Sequence, residues 1–306
     1  MKHGLATIAA GVALAALAGC SAGHPSPSPV SMSPTSAQLP AFSRYVGFSV
    51  PGFPPNPDNL LILEDATGVR PTAVSIYMSL GKKLDIAAVS SLRSSGVLPV
   101  VEIDSDKIPL RDIAAGTEDG WLTSYAREIA SVHGTIAIDF DHEFNAPWSD
   151  WGYTHESAAT FTAAWRHVVT VFRRNGAANV AWVWNPNVSD SSTAAIRPWY
   201  PGNAWVTMVG LDGYFFTPRA TFSTVFGPTI RQIHTFTHRP VLIVETGANP
   251  SANRPAQISD LFEGAREAGI VGVIWFDYHK WTSHDWLINN DPAALAAFRK
   301  AAEKYQ

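Results

Sequence analysis

The stretch TIAIDFDHEFNAPWSDWG, residues 135–152, begins as an apolar β-rich run and passes without a break into four carboxylates, a histidine and two tryptophans. A solvated loop would carry the acids without the indoles, and a core strand would be apolar without the acids. A cleft that grips something flat and moves protons accounts for the mixture, and places it at the end of a strand.

The same design recurs along the chain. Apolar runs at 46–50, 73–77, 97–103, 135–141, 180–185, 206–212, 240–245 and 271–276 read as strands. Helical patterns fall between them at 86–94, 119–132, 158–175, 222–235 and 255–268, with a last one at 292–304. The runs are continuously apolar, as parallel strands covered on both faces should be. Eight such strands over about 260 residues predict a (β/α)8 TIM barrel in a single domain. A doubly wound open sheet would alternate likewise, and the strand count decides for the barrel.

Six of the runs end in chemistry: Glu102 and Asp104, Asp141-His142-Glu143, Trp184-Asn185, Asp212 with Tyr214, Glu245, and Trp275 with Asp277. In barrel enzymes the site lies at the C-terminal ends of the strands, so these scattered residues are expected to converge. Glu143 and Glu245 each follow an apolar strand directly. There burial raises a carboxyl pKa and neighbouring donors lower it, so a pair can be driven apart into an acid and a base. Such a pair is the minimum equipment for glycoside hydrolysis. The structural alternative for either glutamate is an ion pair with a strand-end Arg or Lys.

Bulk properties narrow the field. The 306 residues carry 22 basic and 26 acidic groups, which implies no polyanion-binding face and no nucleic-acid partner. Eleven tryptophans are many for this length, and an indole serves both a core and the face of a sugar. Residues 1–19 read as a secretory signal, with Lys2 and His3 before an apolar run that is too short to span a membrane permanently. The ending Leu17-Ala18-Gly19-Cys20 resembles a bacterial lipobox, which would make Cys20 the lipidated membrane anchor of an extracytoplasmic protein. The alternative is an ordinary secretory peptide. Cys20 is the only cysteine, so the folded part carries no disulfide, no thiol nucleophile and no cysteine-ligated zinc. Residues 20–40 are rich in Ser and Pro and read as a linker, leaving 41–306 for the barrel, with folded chain starting near Tyr45. His142-Glu143 and His155-Glu156 both lack the second histidine of a zinc helix, and Gly47-Phe48-Ser49-Val50-Pro51 lacks the closing glycine of a nucleophile elbow. No cofactor or metal is expected, and a monomer is.

His142-Glu143-Phe144-Asn145, with Pro147-Trp148 and Trp151-Gly152 behind it, resembles the H-E-x-N signature of glycoside hydrolase family 26, a family of many β-mannanases and some mixed-linkage β-glucanases. Trp184-Asn185, Tyr200-Pro201-Gly202, the run Val209-Gly210-Leu211-Asp212-Gly213-Tyr214 and Val244-Glu245-Thr246-Gly247 follow in the family's order, so the resemblance covers most of residues 45–290. It implies a retaining (β/α)8 enzyme acting on a polysaccharide, with Glu143 as acid/base after strand four and Glu245 as nucleophile after strand seven. It further implies an active-site His142, a loop-organising Asn145, Trp148 along the sugar, Tyr214 bonded to the nucleophile, and Trp275 as an indole platform. Core packing is the alternative for Trp148 and Trp275, a turn role for Tyr214, and a loop cap for Asn185. Two positions depart from the family's habit. Asp139 stands where an arginine is common, and Val101-Glu102-Ile103-Asp104 stands where mannanases tend to offer a histidine, so that Glu102 or Asp104 could bind a sugar hydroxyl or alter the charge and pKa balance of the pair. The rival function is a non-catalytic surface lipoprotein that binds polysaccharide or assists its export.

Overall fold

The computed structural model describes residues 44–281 and 284–306. The expected signal peptide, the Ser/Pro-rich linker and Cys20 lie outside the described residues. Eight strands, β1 (Tyr45–Ser49), β2 (Ala73–Ser79), β3 (Leu98–Asp104), β4 (Ile136–Phe140), β5 (Val180–Trp184), β6 (Met208–Phe215), β7 (Val241–Ala248) and β8 (Gly272–Phe276), pair in parallel and in sequence order into a closed barrel. Closure is made by β1 on β8, with Val46 opposite Val273 and Phe48 opposite Trp275. The expected (β/α)8 architecture is therefore the observed one.

The period of two sorts each strand into an inner and an outer face. Tyr45, Ala73, Leu98, Val100, Ala137, Ala181, Val183, Met208, Leu242, Val244 and Ile274 fill the barrel as one apolar cluster. Val46, Phe48, Val74, Ile76, Val101, Ile103 and Ile138 point outward and join the cluster shared with the helices. Helices α1 (Asp58–Thr67), α2 (Ile86–Ser94), α3 (Leu110–Ala114), α4 (Asp119–Ala130), α5 (Ala158–Arg174), α6 (Phe222–Val225), α7 (Gly227–His234), α8 (Arg254–Glu267) and α9 (Pro292–Tyr305) supply that layer. In α5, Phe161, Ala164, Trp165, Val168, Val169 and Phe172 are buried at helical spacing behind a Ser157 cap. Two antiparallel strands, β9 (His279–Trp281) and β10 (His284–Asp285), follow β8.

Two expectations need correction. The single helix over 222–235 is two, because Pro228 lacks the N–H that a continuous helix needs and instead starts α7. The segment DNLLILEDAT, read as no element, is α1; Leu60 and Leu63 are buried while Leu61 and Ile62 are 58% and 53% exposed, so four consecutive apolar residues mask the helical period. Between β5 and β6 the connection holds one 3-10 turn, Arg197–Trp199.

Candidate active site

Continuing the inner face of each strand one pleat beyond the apolar layer reaches polar residues. Ser49, Ser75, Glu102, Asp139, Asn185 and Asp212 all stand on inward positions and are buried. Gly210 makes room for them: a Cβ there would lie 2.5 Å from the side-chain oxygen of Asn185, whose Nδ2 donates to Asp212 at 2.9 Å.

Glu245 would point the wrong way in a regular strand. Leu242 and Val244 face inward, so strict alternation would turn Glu245 out to the helices. The register between β6 and β7 slips here, since Leu211 faces Ile243 and the next residue, Asp212, faces Glu245. Against β8 the same slip falls between Ile243 and Thr246. One extra residue in β7, a β-bulge, therefore turns Glu245 into the mouth. There it is 3% exposed and accepts hydrogen bonds from two phenols, Tyr77 of β2 on one carboxylate oxygen and Tyr214 of β6 on the other. Burial, and then the charge of nearby glutamates, pushes both phenol pKa values well up, which keeps both hydroxyls as donors. Trp286 stacks on Tyr214 at 4.2 Å between ring centroids and supports it from behind. Gly247 allows that approach, because a Cβ would meet the indole at 2.6 Å.

The loop after β4 presents Glu143. Phe144 is fully buried and anchors the loop among Phe161, Trp184 and Trp199, with ring centroids 4.5, 5.0 and 5.5 Å away. Asn145 ties it to the loop after β5: its Nδ2 donates to the Asn187 carbonyl at 2.9 Å, and its Oδ1 accepts from the Asn187 amide at 2.9 Å. Between these anchors Asp141 and Glu143 take left-handed backbone, at φ 54° and 53°. That conformation is costly for residues with a Cβ and is held by the surrounding bonds. The amide of Glu143 donates to the Asn185 carbonyl at 2.7 Å, and Asp141 accepts from the Ser105 amide at 2.7 Å. Glu143 thus faces the mouth, with Trp148 Nε1 donating to one carboxylate oxygen at 2.6 Å and Asn187 Nδ2 to the other. Burial and then the charge of Glu245 raise its pKa, against the pull of His142, Asn187 and Trp148.

The two glutamates meet: a carboxylate oxygen of each, with one of Asp212, lies within 4.8 Å of the others. Two cavities flank the pair. One, of about 560 Å³, is lined by Trp148, Asn187, Tyr214, Phe216, Lys280 and Trp286; the other, of about 430 Å³, by Tyr77, Asp104, His142, Trp148, Trp151 and Lys280, and both reach Glu143 and Glu245. His142 Nδ1 lies 3.2 Å from Asp104 and 3.9 Å from Glu102. Burial opposes its charging, but Asp104, followed by Glu102 and Glu245, outweighs that and holds the imidazole pKa well above its ordinary value.

Of the expected sugar contacts, His142, Trp148 and Tyr214 line the cavities. Trp148 stands 57% exposed as an open indole face. Two others, Trp275 and Glu102, stand elsewhere. Trp275 is fully buried on the outer face of β8, against Phe298 and under Arg254, so it is core and no platform. Its Nε1 donates to the Trp286 carbonyl at 2.9 Å and so anchors the segment whose own indole does reach the mouth. Glu102 is 1% exposed, one pleat below the cavity, and Asp104 takes the lining position above it. Asn145 is fully buried and organises its loop without reaching the cavity. Asn185 likewise bonds Asp212 within the barrel. Asn187, Tyr77 and Trp286 were not foreseen. Asn187 lies two residues beyond Trp184-Asn185, and Tyr77 sits at an inward position at the end of β2, so strand parity carries both signals.

The sequence model of a family described as Glycosyl hydrolase family 26 matches residues 125–287, just over half of the chain. Among curated proteins, Endoglucanase H of Acetivibrio thermocellus is 30% identical over 205 residues, which is 62% of this chain and 22% of that protein. A mannan endo-1,4-beta-mannosidase of Bifidobacterium adolescentis is 32% identical over 75 residues, 24% of this chain and 8% of that one. The chain thus matches less than a quarter of either relative's length. Among solved structures, the catalytic domain of a Bacillus sp. JAMB-750 endo-beta-1,4-mannanase aligns with a TM-score of 0.67 at 16% identity over 86% of both chains. A beta-mannanase from Bacteroides ovatus aligns with a TM-score of 0.65 at 15% identity over 86% of this chain and 89% of that one. At these identities the structural likeness concerns the fold.

Proposed function

The chain belongs to glycosyl hydrolase family 26, and from that premise we propose that it is a retaining glycoside hydrolase cleaving a β-linked polysaccharide such as β-1,4-mannan or mixed-linkage β-glucan. The observation that carries this reading is the opposed pair at the mouth, Glu143 and Glu245, with one carboxylate oxygen of each within 4.8 Å of the other. A retaining pair stands about 5–5.5 Å apart, whereas an inverting pair needs about 6.5–9.5 Å to admit a water.

In the first step Glu245 attacks the anomeric carbon, the glycosidic C–O bond breaks, and Glu143 passes its proton to the departing oxygen. In the second step Glu143 takes a proton from water, the water oxygen displaces Glu245, and the sugar leaves with its original configuration. The environments suit this division of labour. Burial and the charge of Glu245 raise the Glu143 pKa and favour a proton donor, while Tyr77 and Tyr214 hold both oxygens of Glu245 in place for attack. Trp148 offers its exposed face to a sugar ring and its N–H to the acid.

Glu245→Ala is expected to abolish turnover of mannan or β-glucan, and azide is expected to restore part of it with an inverted glycosyl azide as product. Loss without azide rescue would defeat the nucleophile assignment. Glu143→Ala and Glu245→Ala variants that behave as wild type on every bound glycan would establish the non-catalytic binding reading instead. The LAGC ending supports a second part of the proposal, that Cys20 carries a lipid and tethers a monomeric enzyme outside the cytoplasm through residues 20–40. Cys20→Ser should then move the protein from the membrane fraction to the soluble one.

A further inference from the structure

Beneath the catalytic pair, Glu102, His142 and Glu245 each bring one ligand atom within 4.8 Å of the others. Glu102 is 1% exposed, and neither of its carboxylate oxygens accepts a hydrogen bond. Nδ1 of His142 likewise has no hydrogen-bond partner, although Asp104 and Glu102 lie at ion-pair distance. Without a cation, a buried carboxyl with both oxygens free of hydrogen bonds favours its protonated form; a divalent ion that displaces that proton, and the one on the imidazole, satisfies the free oxygens. The surroundings add acids: Asp104, Asp139, Asp141, Glu143 and Asp212 crowd the same mouth, and His142 is the basic group paired with them among the described residues. Lys280 stands at the rim.

We propose that Glu102, His142 Nδ1 and Glu245 form an inhibitory site for a divalent cation of the zinc class. One imidazole and two carboxylates suit zinc and its neighbours, whereas calcium and magnesium prefer oxygen ligands alone. A tetrahedral ion with bonds of about 2.0–2.2 Å places its ligand atoms roughly 3.4 Å apart. The 3.9 Å between His142 Nδ1 and Glu102 closes to that by a small side-chain shift. The cavity of about 430 Å³ lined by Tyr77, Asp104 and His142 gives the ion its entry path and a position open to water. Occupied, the site ties up Glu245, so the ion and the substrate exclude each other. The inhibitory effect rests on the nucleophile role proposed for Glu245; binding of the ion does not.

The test uses the full chain, stripped with EDTA and dialysed. Titration of ZnCl2 by calorimetry is expected to show one saturable site, with MgCl2 giving none. Glu102→Gln, and independently His142→Asn, should weaken Zn2+ binding at least tenfold while circular dichroism shows the fold retained. Hydrolysis of mannan or β-glucan should be inhibited competitively by Zn2+ and restored by EDTA. Absence of saturable binding, or binding that Glu102→Gln and His142→Asn leave unchanged, overturns the site. Hydrolysis without Zn2+ binding overturns it while sparing the enzyme reading, and Zn2+ binding without hydrolysis of any glycan supports the site and overturns the enzyme reading.

Discussion

Asn187→Ala isolates what holds the proposed acid. Asn187 Nδ2 donates to Glu143, while its backbone is fixed independently by Asn145 and by pairing with Asp212. Truncation at Cβ therefore removes one donor and leaves the loop in place. The Glu143 pKa is set by burial and Glu245 pushing it up, against His142, Asn187 and Trp148 pulling it down. A hydrogen bond to a charged group contributes about 1.5–3 kcal/mol. At about 1.36 kcal/mol per unit, losing it raises the pKa by roughly one to two units. The acid must be protonated to assist departure of the leaving group, so the basic limb of kcat/KM should move to higher pH by that amount. The assay is the pH dependence of kcat/KM on soluble mannan or β-glucan, wild type against Asn187→Ala, in buffer with EDTA and with melting temperatures recorded. A basic limb that stays put, or moves to lower pH, in a variant of unchanged melting temperature would refute both the acid assignment and the role of Asn187.

Tyr214→Phe removes a donor from Glu245, which as the proposed nucleophile must leave as a carboxylate in the second step; kcat should fall about 10–100-fold, from roughly 1.5–3 kcal/mol, and KM should fall with it as the glycosyl-enzyme accumulates. Phe144→Ala should cost about 3–5 kcal/mol by emptying a fully buried ring site, lowering the melting temperature on the order of 10 °C, with activity lost in parallel because that ring anchors the Glu143 loop. Asp277, which accepts the Ile288 amide at 2.9 Å, has its pKa raised to about 6, chiefly by burial. Its folded pKa lies above its unfolded one, so its contribution is fully present below about pH 4 and is lost as pH rises through 6. Asp277→Asn keeps the acceptor without the charge and should gain on the order of 1–3 kcal/mol relative to wild type between pH 4 and pH 8, read from melting temperatures; parallel curves for the two proteins would contradict it.

The barrel was legible because its cause is local. Continuous apolar runs of five to eight residues, each separated by a helix-length segment, have few other ways to be covered on both faces. Glu143 and Tyr214 were legible from their immediate motifs, and Glu245 from its strand, although for a reason the sequence hides. Simple alternation from Leu242 would have turned Glu245 outward, and only the slip against Asp212 turns it in. Bulges depend on partner register, which a single chain read from end to end does not display. Trp275 illustrates the same limit. Its place at the end of β8 suggested the mouth, but strand parity puts it opposite Phe48 on the outer face, and the indole that reaches the mouth belongs to Trp286 eleven residues later. Asn187 and Tyr77 escaped notice because each matters through a partner more than 40 residues away.

Asp139 tests whether the acidic mouth is a charge problem or a neutral scaffold. It is fully buried at an inward position of β4. Burial, against the nearby charge of His142, holds its carboxyl well above the ordinary range, and the same holds for Glu102, Asp141 and Asp212, where burial is again the leading cause. A carboxyl so placed favours its protonated form, which has nearly the shape of an amide and carries no charge toward Glu143 or Glu245. Asp139→Asn should then change kcat/KM by less than about threefold and stability by under roughly 0.5 kcal/mol, the scale of substitutions that remove no strained or charged feature. If Asp139 instead stands ionised and offsets His142, the same variant should release the imidazolium's hold, shift the pH profile and lower activity more than tenfold. The reading of this mouth as mostly neutral acids around one reactive pair stands or falls on that comparison.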